Sequence, residues 1–375
     1  MEYCDFGKTG VKISRLGFGS MRLPIPPAPE DKERKDDLEE AAQLLVRGLD
    51  QGINYVDTAW GYCGERSEYA VGMAPKGRRD QVILSTKLPM WFVNEPDDFF
   101  RFLEKQLLKL DTDHIDFYHF HAVNKDHFDN RIRKFKLIDI ARKALDQKMI
   151  RHLSFSFHDS VSVMKEIIDT QAFSSVLCQY NLLDRSLEDG IAYAASKGLG
   201  VTIMGPVGGG RLAFSEGVFE KISSRWSTPE LAMRFVLANP NVSCALSGMG
   251  SEQMVDDNVR VASDPEQISE EELAAIDELQ KKCAELKNIY CTGCSYCVPC
   301  PKNVRIPDCM TSLIYRKVYG LELAAQNYYN DIGDRFHPGN KASACIHCGA
   351  CESKCPQKLP IRERLDEAVR IFEKK

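Results

Sequence analysis

The chain has 375 residues, of which 43% are hydrophobic and 27% charged, and a net charge of -5 at pH 7. That length exceeds the roughly 250–300 residues at which a single hydrophobic core stops growing, so one large domain and a smaller one are expected. No apolar run reaches the roughly 18 residues that span a bilayer, the charges are interspersed without a basic stripe, and MEYCDFGKTGVKISR at the start has no apolar h-region or small-residue cleavage site. The expectation is a cytoplasmic protein with neither a membrane nor a nucleic-acid partner.

Short β-branched runs alternate with amphipathic helical stretches at intervals of about 30 residues. In chain order the strand candidates are RLGFGS (15–20), NYVDTA (54–59), VILSTK (82–87) and IDFYHFH (115–121), then RHLSFS (151–156), SVLCQYN (175–181), GVTIMG (200–205) and VSCALSG (242–248). Between the first two lies DDLEEAAQLLVRGLDQG, where Leu38, Ala41, Ala42, Leu45 and Leu49 recur at helical spacing and Gly52 ends the helix. Eight strands, each followed by a helix, over about 250 residues predict an α/β fold of the (β/α)8 TIM barrel type, whose reactive groups sit on loops at the C-terminal ends of the strands. A doubly wound open sheet is the rival, but it wants a Gly-rich turn after the first strand, and GFGSMR matches that only faintly.

Polar residues cluster where the barrel predicts chemistry. Asp57 ends the second strand, Tyr62 follows in its loop, Lys87 ends the third strand and His121 the fourth. Each alone reads as a cap, rim packing, a solvated end or a core residue. Together, at the same end of successive strands, they converge on one point.

The stretches GINYVDTAWGYCGERSEYAVG, VILSTKLP and DHIDFYHFHAV resemble the aldo-keto reductase signatures in order and spacing, over most of residues 6–263. The resemblance implies a catalytic tetrad of Asp57, Tyr62, Lys87 and His121 and an NAD(P)H-dependent reduction of a small-molecule carbonyl substrate. The chemistry agrees, since a carbonyl receiving hydride needs a proton on its developing alkoxide, and a phenol with a pKa near 10 needs a nearby ammonium to act as donor at neutral pH. Lys87 would serve Tyr62, Asp57 would hold Lys87, and His121 would orient or polarise the carbonyl.

For the dinucleotide, the resemblance implies carboxamide contacts from Ser156 and Gln179, with Phe157 standing where relatives have Asn. The loop GPVGGGRL offers Gly205, Gly208, Gly209 and Gly210, whose backbone N–H groups can approach phosphates. In SGMGSEQMVDDN, Ser251 is the expected helix N-cap, and Asp257 and Asn258 fall at adenine-contacting positions. Gly248, Gly250 and Met254 replace the basic residues that pair with the 2'-phosphate of NADP, and Met204 replaces the aromatic residue under the nicotinamide, so NAD and NADP are both open. Met21, Arg22, Trp60, Trp91, Phe157 and His158 are candidate pocket residues by strand-end position.

The chain has 14 cysteines, too many for chance and, in a cytoplasmic protein, in the wrong compartment for a disulfide framework. Cys4, Cys63, Cys178, Cys244 and Cys283 are scattered and read as small buried hydrophobes. The other nine follow residue 290. Cys291, Cys294, Cys297 and Cys300 form C-x2-C-x2-C-x2-C-P, and Cys345, Cys348, Cys351 and Cys355 form C-x2-C-x2-C-x3-C-P. The second run reproduces the bacterial ferredoxin spacing, in which three close thiolates cap one 4Fe-4S cube and a fourth before proline serves the other. Four-cysteine zinc sites, the alternative, use paired C-x2-C knuckles rather than triplets. Crossed ligation would give one cube Cys291, Cys294, Cys297 and Cys355, and the other Cys345, Cys348, Cys351 and Cys300; the first run is one residue short between its last two cysteines. Cys309 is expected to pack and His347 to be a spacer.

The whole chain therefore resembles aldo-keto reductases with a C-terminal iron-sulfur extension. This implies a barrel over 1–285 and a mainly helical ferredoxin-like domain over 286–375 carrying two 4Fe-4S clusters. Nicotinamide exchanges hydride whereas a cluster passes single electrons, which leaves three readings. The first is a carbonyl reductase with clusters in a secondary role. The second is an electron-transfer oxidoreductase with a one-electron redox partner, and the third is a ligand-sensing or regulatory subunit.

Overall fold

Eight parallel strands, each too buried on both faces to face water, close on one another through returning helices. In the computed structural model, which describes residues 1–27, 31–213, 217–264, 266–285, 291, 297–334, 337–355 and 358–373, these strands are β3 (Leu16–Gly19), β4 (Tyr55–Asp57), β5 (Ile83–Leu88), β6 (Ile115–Val123), β7 (Ile150–Phe157), β8 (Ser175–Gln179), β9 (Gly200–Met204) and β10 (Cys244–Gly248). They pair in sequence order, and β10 closes the barrel against β3 with Leu246 opposite Gly17. The fold is the expected TIM barrel, and each strand falls inside or within two residues of its predicted run. The first connecting helix, Glu39–Asp50, buries Ala41, Ala42 and Leu45 of the expected stripe and Leu44 besides, while Leu49 is half-buried.

A hairpin of β1 (Tyr3–Asp5) and β2 (Lys12–Ser14) precedes the barrel. Its turn carries Phe6, fully buried and edge-on to Tyr55 and Phe117 with ring centroids 5.7 and 4.8 Å away. Tyr55 begins β4 and Phe117 lies near the start of β6, so Phe6 plugs the N-terminal end of the barrel. Gly200, which begins β9, makes room for it: a Cβ there would lie 2.2 Å from the Phe6 ring. The hairpin was not expected from the sequence, because strands of three residues give too little alternation to register.

By compactness the chain forms two units. One unit comprises residues 1–209 and 232–267, and the other 210–231 and 268–375. Within the second unit the reason is visible: Val218 N–H donates to the Tyr319 carbonyl at 3.0 Å, and Phe219 stacks on Tyr319 at 5.6 Å. Arg225 Nη2 reaches Glu272 Oε2 at 2.6 Å. The helices Ile306–Lys317, Glu322–Asn330 and Ile361–Ala368 enclose a core of Ile306, Met310, Leu313, Tyr329, Leu359 and Leu365. Cys178, Cys244 and Cys309 are buried as expected, whereas Cys4 and Cys63 are half-buried; the Cys283 side chain lies outside the described residues. Among the described residues no helix is long and apolar enough to cross a membrane.

Because Phe6 fills its site completely, Phe6→Ala is expected to destabilise the barrel by about 3–5 kcal/mol, read as a lowered urea midpoint. An unchanged midpoint would show that the hairpin does not plug the barrel.

Candidate active site and thiol centre

The period of two in β5 decides what lies inside the barrel. Ser85 and Lys87 point inward, and Thr86 outward. Lys87 Nζ donates to Asp57 Oδ1 at 2.5 Å and to the Thr58 carbonyl at 2.6 Å, while Ser85 Oγ donates to Asp57 Oδ2 at 2.9 Å. The Lys87 and Asp57 side chains are 1% and 4% exposed, so the pair is out of water. On the outer face Thr86 and the Gln106 amide both bond Glu68 Oε1, at 2.7 and 2.6 Å, and Gln106 also donates to the Lys87 carbonyl at 3.1 Å. Both faces of β5 thus fix the lysine.

Tyr62, in the loop after β4, lies with its ring centroid 4.8 Å from Lys87 Nζ. His121 faces it at 6.0 Å between ring centroids, and Trp91 covers His121 at 4.8 Å. The structure therefore brings Asp57, Tyr62, Lys87 and His121 to one point at the C-terminal end of the strands. Burial would lower the Lys87 pKa, but Asp57 and then Tyr62 beside it hold it above the usual ammonium value. Tyr62 is raised above 10 by burial, with Lys87 pulling against that. The lysine acts in the expected sense, yet desolvation outweighs it. His121 is driven well below 6.5, by burial first and by Lys87 second.

Ser156 has a local task. Its Oγ accepts the Ala122 N–H at 2.7 Å, fixing an irregularity at the end of β6 where the register with β7 shifts between Phe120 and Val123 and Ala122 takes φ 51°. That bend follows His121 directly. The Ser156 hydroxyl retains its own proton for donation. Gln179 ends β8 beside Gly205, where a Cβ would stand 3.9 Å from its carboxamide. Gly205, Gly208 and Gly209 all take positive φ, as does Gly210, the first residue of the second unit. Ser251 caps helix Glu252–Ser263 by accepting the Met254 N–H at 3.3 Å. Asn258 Nδ2 donates to Ser247 Oγ at 3.2 Å, and Asp257 is exposed.

Some residues were not singled out from the sequence. Asn181, buried, donates to the Gly205 carbonyl at 2.9 Å and accepts the Leu183 N–H at 2.9 Å, so it shapes the loop beside Gln179. His119 is fully buried opposite Lys87 in the β5–β6 register, and its pKa falls to about 3 through burial and Lys87. The i, i+2 spacing of HFH would have placed it on the face of His121. Among the expected pocket residues Trp91 reaches the site, and Met21 and His158 are exposed. Arg22 Nη2 lies 3.5 Å from the Gly209 carbonyl. Trp60 is instead held edge-on to Phe102 at 5.0 Å, under Lys109 Nζ at 3.8 Å. Phe157 is fully buried against Phe155, on the face of β7 opposite Ser156.

In the second unit, Cys297, Cys300, Cys345, Cys348 and Cys351 line one small cavity with Ile306 and Arg362. Cys291 and Cys355 pack against the same core, and Cys294 lies outside the described residues. Cys297 and Cys300 of the earlier run thus join the three close cysteines of the later run. Among the described residues no three His, Cys, Asp or Glu side chains are grouped so that they could hold a metal ion. The thiols that line the cavity are the donors that a 4Fe-4S cluster takes. His347 reaches Asp366 at 3.0 Å.

The chain belongs to the aldo/keto reductase family, whose family model matches residues 15–281; a 4Fe-4S dicluster domain matches residues 290–359. It is an oxidoreductase of that type. It is 26% identical to the uncharacterized oxidoreductase YqkF of Bacillus subtilis, over 75% of this chain and 97% of the relative. It is 25% identical to L-galactose dehydrogenase of Arabidopsis thaliana, over 77% and 96% of the two chains. The holo form of aldo-keto reductase AKR11C1 from Bacillus halodurans superposes with a TM-score of 0.64 at 26% identity, covering 74% of this chain and 96% of that one.

Since burial and Lys87 keep His121 neutral far below pH 6.5, turnover is expected to stay level from pH 8 down through 6.5. An inflection near 6.5 that disappears in His121→Asn would show that the imidazole titrates normally.

Proposed function

We propose that this protein reduces the carbonyl group of a small aldehyde or ketone with a reduced nicotinamide dinucleotide, at Asp57, Tyr62, Lys87 and His121. The observation that carries the proposal is the buried Lys87–Asp57 pair set against the Tyr62 ring with His121 opposite. When bound, the dinucleotide supplies the hydride. Tyr62 gives its phenolic proton to the carbonyl oxygen, and the Lys87 ammonium stabilises the phenolate left behind. Asp57 keeps that ammonium in place and charged. His121, neutral, donates a hydrogen bond to the same oxygen and so orients the carbonyl. Burial of the pair excludes the water that would screen Lys87 from the phenol.

The strand ends fit an extended dinucleotide. Ser156 and Gln179 offer a hydroxyl donor and a carboxamide, Gly205, Gly208 and Gly209 an open backbone, and Ser251, Asp257 and Asn258 the rim around a capped helix. With Gly248, Gly250 and Met254 in place of basic residues, the proposal extends to NADH and NADPH alike.

In the second unit we assign two 4Fe-4S clusters in crossed ligation. One is held by Cys291, Cys294, Cys297 and Cys355, and the other by Cys300, Cys345, Cys348 and Cys351. The cavity that the latter four line, with Cys297 of the former set beside them, supports the grouping of Cys300 with the later run. A second reading, in which the clusters exchange electrons with a one-electron partner and the barrel, draws on the exposure of Cys348. It needs a one-electron acceptor in the barrel, and the sequence shows no flavin fingerprint.

Two measurements test these assignments. Tyr62→Phe is expected to lower turnover about 100-fold or more while leaving nucleotide affinity nearly unchanged; undiminished turnover would place the proton donor elsewhere. Anaerobically purified protein is expected to absorb broadly near roughly 400 nm and to hold iron and sulfide for about two cubes. Stoichiometric zinc without sulfide would refute the cluster assignment.

A further inference from the structure

Arg362 stands at the start of helix Ile361–Ala368, and its side chain lines the cavity of Cys300, Cys345, Cys348 and Cys351, which Cys297 also lines. Its position is fixed from three directions by one carboxylate. Nε donates to Glu352 Oε2 at 2.9 Å, Nη2 lies 2.8 Å from the same oxygen, and the Arg362 backbone N–H donates to Glu352 Oε1 at 2.9 Å. Glu352 follows Cys351 directly in helix Ala350–Lys354. Gly349, between the third and second cysteines of the run, has no side chain to stand between them and the guanidinium, whose carbon would lie 3.8 Å from a Cβ there.

The other charges near this wall are paired or further round. His347 is joined to Asp366, Glu363 is joined to Arg364 at 2.6 Å, and Lys358 lines the outer pocket shared with Glu352 and Arg362. Arg362 is the cation shared by that pocket and the thiol cavity. A cube held by four thiolates is anionic and gains one further negative charge when it accepts an electron. A fixed guanidinium beside it therefore favours the reduced state, and a carboxylate favours the oxidised one.

We propose that Arg362 sets the reduction potential of the cluster held by Cys300, Cys345, Cys348 and Cys351, and that Glu352 moderates it by fixing the guanidinium and offsetting part of its charge. The proposal rests on the reading that these four cysteines hold a 4Fe-4S cluster. The Arg362 side chain is 46% exposed, so solvent screens the interaction and the effect is a few-fold rather than many decades.

The test is an anaerobic redox titration of the full chain with dithionite as one-electron reductant, followed by electron paramagnetic resonance, with iron and sulfide measured on each preparation. In Arg362→Gln one of the two reduction waves is expected to move to lower potential by at least threefold in the reduction constant, about 28 mV at 59 mV per decade for one electron. The other wave should move less. Glu352→Gln should move the same wave the opposite way, and Arg362→Lys, which keeps the charge, should stay near the unsubstituted protein. Equal or absent shifts in both waves of Arg362→Gln at unchanged iron content overturn the proposal. Should Arg362→Gln lose iron, Glu352→Gln decides: an unchanged or lowered potential there overturns it. An unsubstituted protein with no sulfide and no cluster signal would refute the underlying assignment instead.

Discussion

Everything at the barrel mouth depends on one buried ion pair. Removing an ammonium and a carboxylate from water costs several kcal/mol for each ion, and only close geometry with further hydrogen bonds repays it. Here Lys87 has Asp57 and the Thr58 carbonyl, and Asp57 has Ser85 as well. The pair can be held this way because β4 and β5 are neighbours in the barrel, with Asp57 opposite Ser85. On the outer face of β5 the buried Glu68, Thr86 and Gln106 leave little freedom to the lysine backbone. A rigid cation is what a phenol needs beside it: a mobile one would lower the cost of the phenolate only part of the time.

The same strand logic shows what could be read from residues alone. The eight barrel strands and the convergence of Asp57, Tyr62, Lys87 and His121 follow from period and spacing, since parallel strands buried on both faces are written as apolar runs with polar ends. Contacts that depend on side-chain direction were hidden. Trp60 sits two residues from Tyr62 yet turns to Phe102 and Lys109, because a cation over its face and an aromatic edge hold it there. Ser156 reads as a ligand contact, but its oxygen is first committed to the bend after His121. The N-terminal hairpin escaped because its strands are too short, and the grouping of residues 210–231 with the C-terminal unit because it rests on long-range contacts such as Phe219 on Tyr319.

The C-terminal unit depends on a different economy. Its apolar core is modest, and the half-buried cysteines Cys291, Cys297, Cys300, Cys345 and Cys355 pack against it. Metal–thiolate bonds supply in such segments what a larger core supplies elsewhere, and they make folding and cluster binding one event. The ferredoxin spacing was legible in the sequence because ligand geometry fixes it. The fork between Arg362 and Glu352 was not, since nothing in ten residues of separation announces that the two side chains meet at the cavity wall.

The proposed tetrad and the proposed one-electron centres in one chain pose a single question: whether the reducing electrons reach the substrate as a pair. On the proposed reading they do, at Tyr62 and Lys87. The direct measurement is transfer of label from reduced nicotinamide dinucleotide carrying deuterium at both C4 positions to an aldehyde or ketone that the protein turns over, with the product examined by mass spectrometry. Hydride transfer predicts one deuterium per product molecule on the former carbonyl carbon, with none in the solvent. Product carrying solvent hydrogen at that carbon would contradict the account and route the electrons singly.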